Sequence, residues 1–157
     1  MDCELCVSDG GRLLWRDKFC RIVLVPSDDY PGYCRVVLNR HAREMTDLDA
    51  GERERLMQAV FACETAVREL FEPEKINLAS LGNQVPHLHW HVIARHADDR
   101  HFPDPIWVPP IRVPKLGGSR KPPFFEKNPF FSKKTPFFAK KGGFCQNRVL
   151  AKSPFPE

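Results

Sequence analysis

The sequence predicts an α+β protein in which one long helix packs on an antiparallel sheet. Two observations predict this fold class. Short apolar segments bounded by turn-forming residues indicate strands, and these segments occur in two groups along the chain. Between the two groups lies a long segment with apolar residues at helical spacing, which ends at Pro73.

The first group of strands precedes residue 40. Residues 13–16 predict a short edge strand, and residues 20–25 and 33–39 predict two further strands that are mostly apolar. Residues 26–32 form a loop dense in turn formers. Because this short loop joins the two longer strands, we expect them to form an antiparallel pair.

The helix is predicted to begin at a capping residue, either Asp47 or Asp49. Glu52 lies three residues after Asp49, where a capping box requires a carboxylate. Apolar side chains then recur at intervals of three and four residues, at Leu56, Val60, Cys63, Val67 and Leu70. This spacing places them on one stripe facing the sheet, over an element of about 20 residues.

The second group of strands follows the helix. Residues 75–81 predict a strand and residues 82–84 a turn. Pro86 has no N–H to donate to a strand ladder, so it marks the entry to the last strand, which runs to about Arg95.

The composition changes after Ile111. Acidic residues outnumber basic ones before that point, so the net charge of +4 comes from a basic C-terminal segment in which Pro-Phe-Phe recurs. We expect one domain over residues 1–105 and a Pro/Phe/Lys-rich tail over residues 106–157. The repeated prolines predict that this tail is disordered. Translation in a shifted reading frame would also explain its composition. The alternative is a basic aromatic arm for nucleic acid or a membrane surface, and nucleic acid is not otherwise an expected partner.

The sequence predicts neither a membrane span nor a secretory signal. The N-terminus is acidic, and no apolar segment reaches the roughly 18 residues that a spanning helix needs. Cys20, Cys34 and Cys63 fall within apolar segments, as reduced core cysteines do. We therefore expect a cytoplasmic protein without a membrane partner.

One short stretch concentrates the candidate chemistry. His87, His89 and His91 alternate with apolar residues, so on a strand their imidazoles would share one face while Leu88 and Trp90 enter the core. Three imidazoles can bind a catalytic zinc with one open position. Alternatively, one can attack phosphorus while a neighbour donates a hydrogen bond to a phosphoryl oxygen. The spacing alone does not decide between these two chemistries.

The flanking residues add a family resemblance. The pattern His-φ-His-φ-His-φ-φ over residues 87–93, where φ is apolar, closely resembles the signature of the histidine triad (HIT) family of nucleotide hydrolases and transferases. Residues 77–86 resemble the polar phosphate loop that precedes this motif. The resemblance covers roughly residues 1–105. Within the family, the sequence is similar to the fragile-histidine-triad, dinucleoside polyphosphate hydrolase-like branch. It implies a HIT-like antiparallel sheet and a homodimer.

The resemblance also implies a mechanism that needs no metal cofactor. His89 would attack the α-phosphate of a nucleotide and form a nucleotidyl-histidine that water hydrolyses. His91 would hydrogen-bond the non-bridging oxygens. The amides of Asn77, Asn83 and Gln84 correspond to groups that contact phosphate or leaving group in the family.

The sequence departs from the family pattern at one position. Many relatives carry Pro-Gly-His before the strand at residues 33–39, and Tyr33 stands here instead of that supporting histidine. We expect Tyr33 to replace it as a hydrogen-bonding group. The resemblance implies a nucleoside pocket from the preceding strand and loop, with Ile22 and Leu24 against the base and Ser27 or Asp28 at the ribose.

A structural metal is also expected. Cys3 and Cys6 supply half of a tetrahedral zinc site. Some microbial HIT proteins complete such a pair with two histidines, and His41 and His87 occupy the corresponding positions. The resemblance therefore implies a structural Cys2His2 zinc site.

Two other functions compete with a covalent nucleotide hydrolase that acts on dinucleoside polyphosphates or nucleoside phosphoramidates. One is a nucleotide-binding or sensing protein with little turnover, suggested by Tyr33. The other is a zinc-dependent hydrolase that uses His87, His89 and His91 as ligands.

Overall fold

The computed structural model describes residues 3–113, and the three Pro-Phe-Phe repeats of the predicted tail lie outside this range. The elements in chain order are a short helix α1 (Glu4–Val7), strands β1 (Arg12–Arg16), β2 (Cys20–Leu24) and β3 (Cys34–Leu38), a 3-10 turn (Met45–Asp47), the long helix α2 (Ala50–Phe71), and strands β4 (Lys75–Ala79) and β5 (His89–Arg95).

The strands form one five-stranded antiparallel sheet in the order β1-β2-β3-β5-β4. The last strand therefore inserts between β3 and β4, so both of its edges are paired. Together with the long helix α2, this architecture confirms the α+β fold with an antiparallel sheet.

Helix α2 begins as the capping box predicts. The Asp49 carboxylate accepts a hydrogen bond from the Glu52 amide at 2.8 Å, and the Glu52 carboxylate accepts one from the Asp49 amide at 3.1 Å. The apolar stripe is buried, with Leu56, Val60 and Cys63 all 0% exposed. The helix ends at Phe71, before Glu72 in a left-handed conformation and Pro73.

The sheet has two distinct faces because successive strand side chains alternate. Ile22, Val36 and Val92 belong to the large core cluster that also contains the buried stripe of α2. Their neighbours along the strands point the other way. On that second face, Arg35 pairs with His91 and Val37 pairs with His89 across β3 and β5.

Strand β5 begins at His89, two residues later than predicted. The His87 amide donates to the Val85 carbonyl at 2.8 Å in a turn, and the Leu88 amide donates to Ala42 O at 2.8 Å. His87 consequently lies before the strand, which corrects the expectation that all three histidines share one strand.

The described chain continues to pack beyond residue 105. The Ile111 amide donates to Arg100 O at 2.9 Å, and the Arg112 side chain donates to Asp99 O at 3.0 Å. Among residues 3–113, no helix is long and apolar enough to span a membrane.

Candidate active site

His89 is the first residue of β5, and one of its ring nitrogens is held by the backbone. Its Nδ1 lies 2.6 Å from the carbonyl oxygen of His87. Since a carbonyl oxygen only accepts, Nδ1 carries the proton and Nε2 keeps its lone pair. Burial lowers the pKa of His89, so the ring is neutral at pH 7. A neutral imidazole with a free Nε2 is the form required of a nucleophile.

His91 lies two residues further along the same face. Its ring centroid is 4.8 Å from that of His89, with the planes at 74°. Burial, followed by the neighbouring His89 and Arg35, lowers the pKa of His91 to about 3. Both rings are therefore uncharged at neutral pH.

Tyr33 lies immediately before strand β3 and contacts His91. Its hydroxyl lies 2.6 Å from His91 Nδ1. Burial raises the pKa of Tyr33, so the phenol keeps its proton at pH 7 and can donate it to Nδ1. In that arrangement, the His91 proton lies on Nε2 and is available to a phosphoryl oxygen.

Tyr33 depends on the glycine before it. Gly32 has φ of 84°, and a Cβ there would lie 2.6 Å from the ring of Phe71. Only glycine fits both the backbone conformation and the close approach of α2.

Trp107 is a site residue that the sequence did not indicate. Its ring lies 5.3 Å from that of His91, in an edge-on arrangement, and the side chain is 47% exposed. The residue falls in the segment assigned to the tail. The sequence contains no signal for its position, because Trp107 reaches the histidines through a loop with no regular spacing.

A buried ion pair supports the loop that carries Trp107. Arg95 donates to both carboxylate oxygens of Asp99, at 2.6 and 3.0 Å, and to the Asp104 carbonyl at 2.8 Å. Asp99 also accepts from the amides of His101 and Phe102. The end of β5 and the following loop are thereby joined.

The three predicted phosphate-binding amides occupy two different places, one on β4 and two in the bend before β5. The sheet face that carries His89 and His91 is called the histidine face. Asn77 of β4 lies on it, but its side-chain oxygen accepts a hydrogen bond from Arg95 at 2.6 Å. Asn83 and Gln84 are exposed in the bend before β5. No hydrogen bond among the described residues joins these three amides to His89 or His91.

The predicted nucleoside pocket needs correction at β2. Ile22 is 0% exposed and, with Leu24, packs on the α2 side of the sheet, so the structure does not bring them to the histidines. Alternation places Val23 on the histidine face instead, where it packs with Val37. Ser27 serves the turn, accepting from the Tyr30 amide at 3.1 Å, while Asp28 is exposed.

His87 turns away from the other two histidines. Its Nε2 donates to Leu38 O at 2.7 Å, and its Nδ1 lies 3.3 Å from Cys3 Sγ and 3.5 Å from Cys6 Sγ. His41 completes the group, with Nδ1 3.4 Å from Cys6 Sγ. All four ligand atoms lie within 4.8 Å of one another.

The chemistry of this cluster fits zinc. Two thiols and two imidazoles are a common structural set, and Zn–S and Zn–N bonds at a tetrahedral angle separate sulfur from nitrogen by roughly 3.6 Å. The Leu38 carbonyl directs the bare Nδ1 of His87 toward the cysteines, as outer partners of metal-bound histidines do.

Known proteins share the fold and the motif. The HIT domain family matches residues 10–98. A histidine triad protein from Marinobacter aquaeolei is 31% identical over 69% of this chain and 80% of its own, with a TM-score of 0.60. One from Bradyrhizobium japonicum is 29% identical over 69% and 82%, with the same TM-score of 0.60. One from Sinorhizobium meliloti is 25% identical over 72% and 85%, with a TM-score of 0.61. A search of curated proteins finds no significant match.

The fold and the site define a class of protein in which an antiparallel sheet presents neutral histidines on the face opposite its helix. This chain belongs to the HIT domain family. Family membership indicates a nucleotide-binding, hydrolase or transferase function.

Proposed function

We propose that this protein hydrolyses nucleotides at the nucleoside α-phosphate through a covalent nucleotidyl-histidine on His89. The observation that carries the proposal is the 2.6 Å hydrogen bond from His89 Nδ1 to His87 O. It leaves the Nε2 lone pair of a neutral ring on the sheet face opposite α2, in the form that a nucleophile toward phosphorus requires.

The proposed reaction has two steps. His89 Nε2 forms a bond to the α-phosphorus, and the bond from phosphorus to the leaving oxygen or nitrogen breaks with its electron pair. The leaving group then takes a proton. Water next attacks the phosphorus and loses a proton to solvent, while the bond from phosphorus to His89 Nε2 breaks with its electron pair. This releases the nucleoside monophosphate and restores neutral His89. In both steps, the His91 Nε2–H donates to a non-bridging oxygen.

Dinucleoside polyphosphates and nucleoside phosphoramidates are the proposed substrate classes. The first matches the fragile-histidine-triad branch that the sequence resembles. Both classes share a nucleoside α-phosphate, so both can form the same intermediate on His89.

The intermediate itself provides the test. Brief incubation with a nucleoside phosphoramidate, acid quenching and denaturing mass spectrometry should reveal one nucleotidyl adduct on the wild-type chain and none on His89→Gly. His96→Asn is the matched control, because His96 is buried but faces Glu74, with Nδ1 3.0 Å from its carboxylate. That variant should still form the adduct. Turnover without an adduct on His89 would contradict the mechanism.

A nucleotide-binding or sensing protein is the second candidate. It is favoured by Tyr33, which stands where many relatives carry a supporting histidine. It predicts tight nucleotide binding with no adduct and no turnover. A zinc hydrolase with three histidine ligands has less support, because His87 Nδ1 faces Cys3 and Cys6 rather than the other two rings.

We further propose that Cys3, Cys6, His41 and His87 hold a structural zinc ion. The metal would fasten the N-terminal segment to the sheet and leave the reaction at His89 free of metal chemistry. A homodimer, as the family resemblance implies, remains a proposal that light scattering after size-exclusion chromatography tests.

A further inference from the structure

Arg35 is a charged residue on the histidine face that has no role in the proposed reaction so far. It lies on β3 directly opposite His91, and Val37, two residues along, lies opposite His89. Directly opposed side chains in an antiparallel pair have Cβ atoms about 5 Å apart, and diagonal ones about 7–8 Å. The long arginine side chain can therefore reach a group bound between the two histidines.

No carboxylate within residues 3–113 forms an ion pair with Arg35. Its Nε is buried without a hydrogen-bond partner, and its Nη1 has one long contact, 3.5 Å to Gly10 O. The guanidinium carbon lies 5.8 Å from the centre of the Tyr33 ring. Burial raises the pKa of Tyr33, and the charge of Arg35 and a hydrogen bond with it partly offset this rise, so the guanidinium is partly engaged there. Its buried Nε is the donor left unsatisfied, which is costly unless a ligand satisfies it.

Two other arginines on this face are engaged differently. Arg21 donates to the carbonyls of Leu5, Ser8 and Asp9. Arg95 is paired with Asp99. Arg35 thus differs from both in having neither a carboxylate nor a set of carbonyls around it.

The charge of Arg35 is also needed at this place. His91 is neutral at pH 7, because its pKa is lowered to about 3, so its ring contributes no positive charge. The α-phosphate of a nucleotide is anionic, and a planar guanidinium with several donors matches its oxygens.

We propose that Arg35 binds the non-bridging oxygens of the substrate's α-phosphate beside His89 and His91, so that the site selects nucleotides over the corresponding nucleosides. The inference rests on the proposed function for the location of the phosphate. It makes Arg35 the permanent cation of the site, next to neutral histidines that supply a nucleophile and a hydrogen bond.

Binding without turnover tests this role. Calorimetry with four nucleoside 5′-monophosphates first selects the base that the wild-type protein prefers. Arg35→Met should weaken binding of that monophosphate by about 10- to 100-fold, the worth of a charge-assisted hydrogen bond, and leave the nucleoside unchanged. Arg35→Lys should recover part of the affinity, because it restores the charge without the fork of donors. Arg68→Met, which removes an exposed arginine of α2, should bind like wild type.

Thermal denaturation of Arg35→Met confirms that the variant is folded before binding is compared. Equal monophosphate affinity in Arg35→Met and wild type would overturn the inference, as would an equal loss of nucleoside affinity. The two proposals fail separately. A wild-type protein that forms no adduct but whose monophosphate affinity depends on Arg35 would refute the hydrolase alone. An adduct and turnover with no effect of Arg35→Met would refute the role of Arg35 alone.

Discussion

The backbone carbonyl of His87 lies 2.6 Å from Nδ1 of His89, while the His87 ring faces Cys3 and Cys6. One residue thus joins the cysteine cluster to the proposed nucleophile. The cluster holds the backbone at the entry to β5, and that backbone sets the tautomer of His89. The structural role therefore belongs to His87 and the chemical role to His89, two residues later.

Removing zinc should lower stability more than it alters the chemistry. We expect about one zinc per chain in the purified protein and almost none in the double variant Cys3→Ser/Cys6→Ser, measured by plasma mass spectrometry. A chelator should lower the melting temperature of the wild-type protein and leave that of the double variant unchanged, because binding to the folded state stabilises it.

Cys20→Ala is the control for this prediction, since Cys20 is a buried thiol of the sheet core. It should keep its zinc. A wild-type chain purified from zinc-containing medium without any bound metal would contradict the site.

Substitution of His91 should slow the reaction without preventing nucleotide binding. His91→Leu, which has no side-chain donor, is expected to lower kcat by about 10²–10³-fold, the usual effect of losing one donor to the charge that develops in the transition state. Steady-state kinetics and calorimetry would separate the two quantities. A loss of monophosphate affinity with kcat unchanged would contradict this role, because it would mean that His91 binds the ground state and the transition state equally well.

Tyr33→Phe tests the support of His91. It removes the hydroxyl that lies 2.6 Å from Nδ1 and leaves the ring shape intact. We expect a fall of roughly 10-fold in kcat and a loss of about 1–3 kcal/mol in the free energy of unfolding. Tyr30→Phe is the matched control, because its hydroxyl contacts His101 instead. A rate equal to wild type in Tyr33→Phe would contradict this role.

Stability should rise with pH below neutrality. The pKa of His91 is about 3 in the folded protein against 6.5 for the ordinary group. Between these values the unfolded chain binds more protons than the folded one, so the free energy of unfolding falls as pH falls. Melting temperatures recorded between pH 7 and pH 5 would measure this loss of stability. His91→Asn should show a weaker dependence, and an unchanged slope would contradict the assignment.

The buried Arg95–Asp99 pair should be essential for the loop that carries Trp107. Asp99→Asn leaves a buried guanidinium poorly paired, and we expect a loss of about 3–5 kcal/mol in urea denaturation. Native tryptophan fluorescence should also change, and Trp107→Phe identifies the contribution of Trp107. Asp104→Asn, an exposed carboxylate nearby, should change stability by less than about 0.5 kcal/mol. An equally small loss in Asp99→Asn would contradict the role of the pair.

The elements that the sequence predicted correctly depend on local rules. The capping box at Asp49 and Glu52 and the stripe from Leu56 to Val67 involve neighbours within a few turns, and the structure confirms both. The ends of the strands were predicted less exactly. The ladder of β5 starts at His89, because the His87 amide is used in a turn that no periodicity reveals.

The sequence by itself determined that the chain has a HIT-type histidine motif on an α+β fold, because alternation and capping are encoded within short segments. Only the tertiary structure decided that His87 faces Cys3 and Cys6, that Ile22 lies on the wrong side of the sheet for the site, and that Arg35 stands opposite His91. The physical reason is register. Which residues meet across strands, and where the loop with Trp107 folds back, depends on packing between segments far apart in the chain.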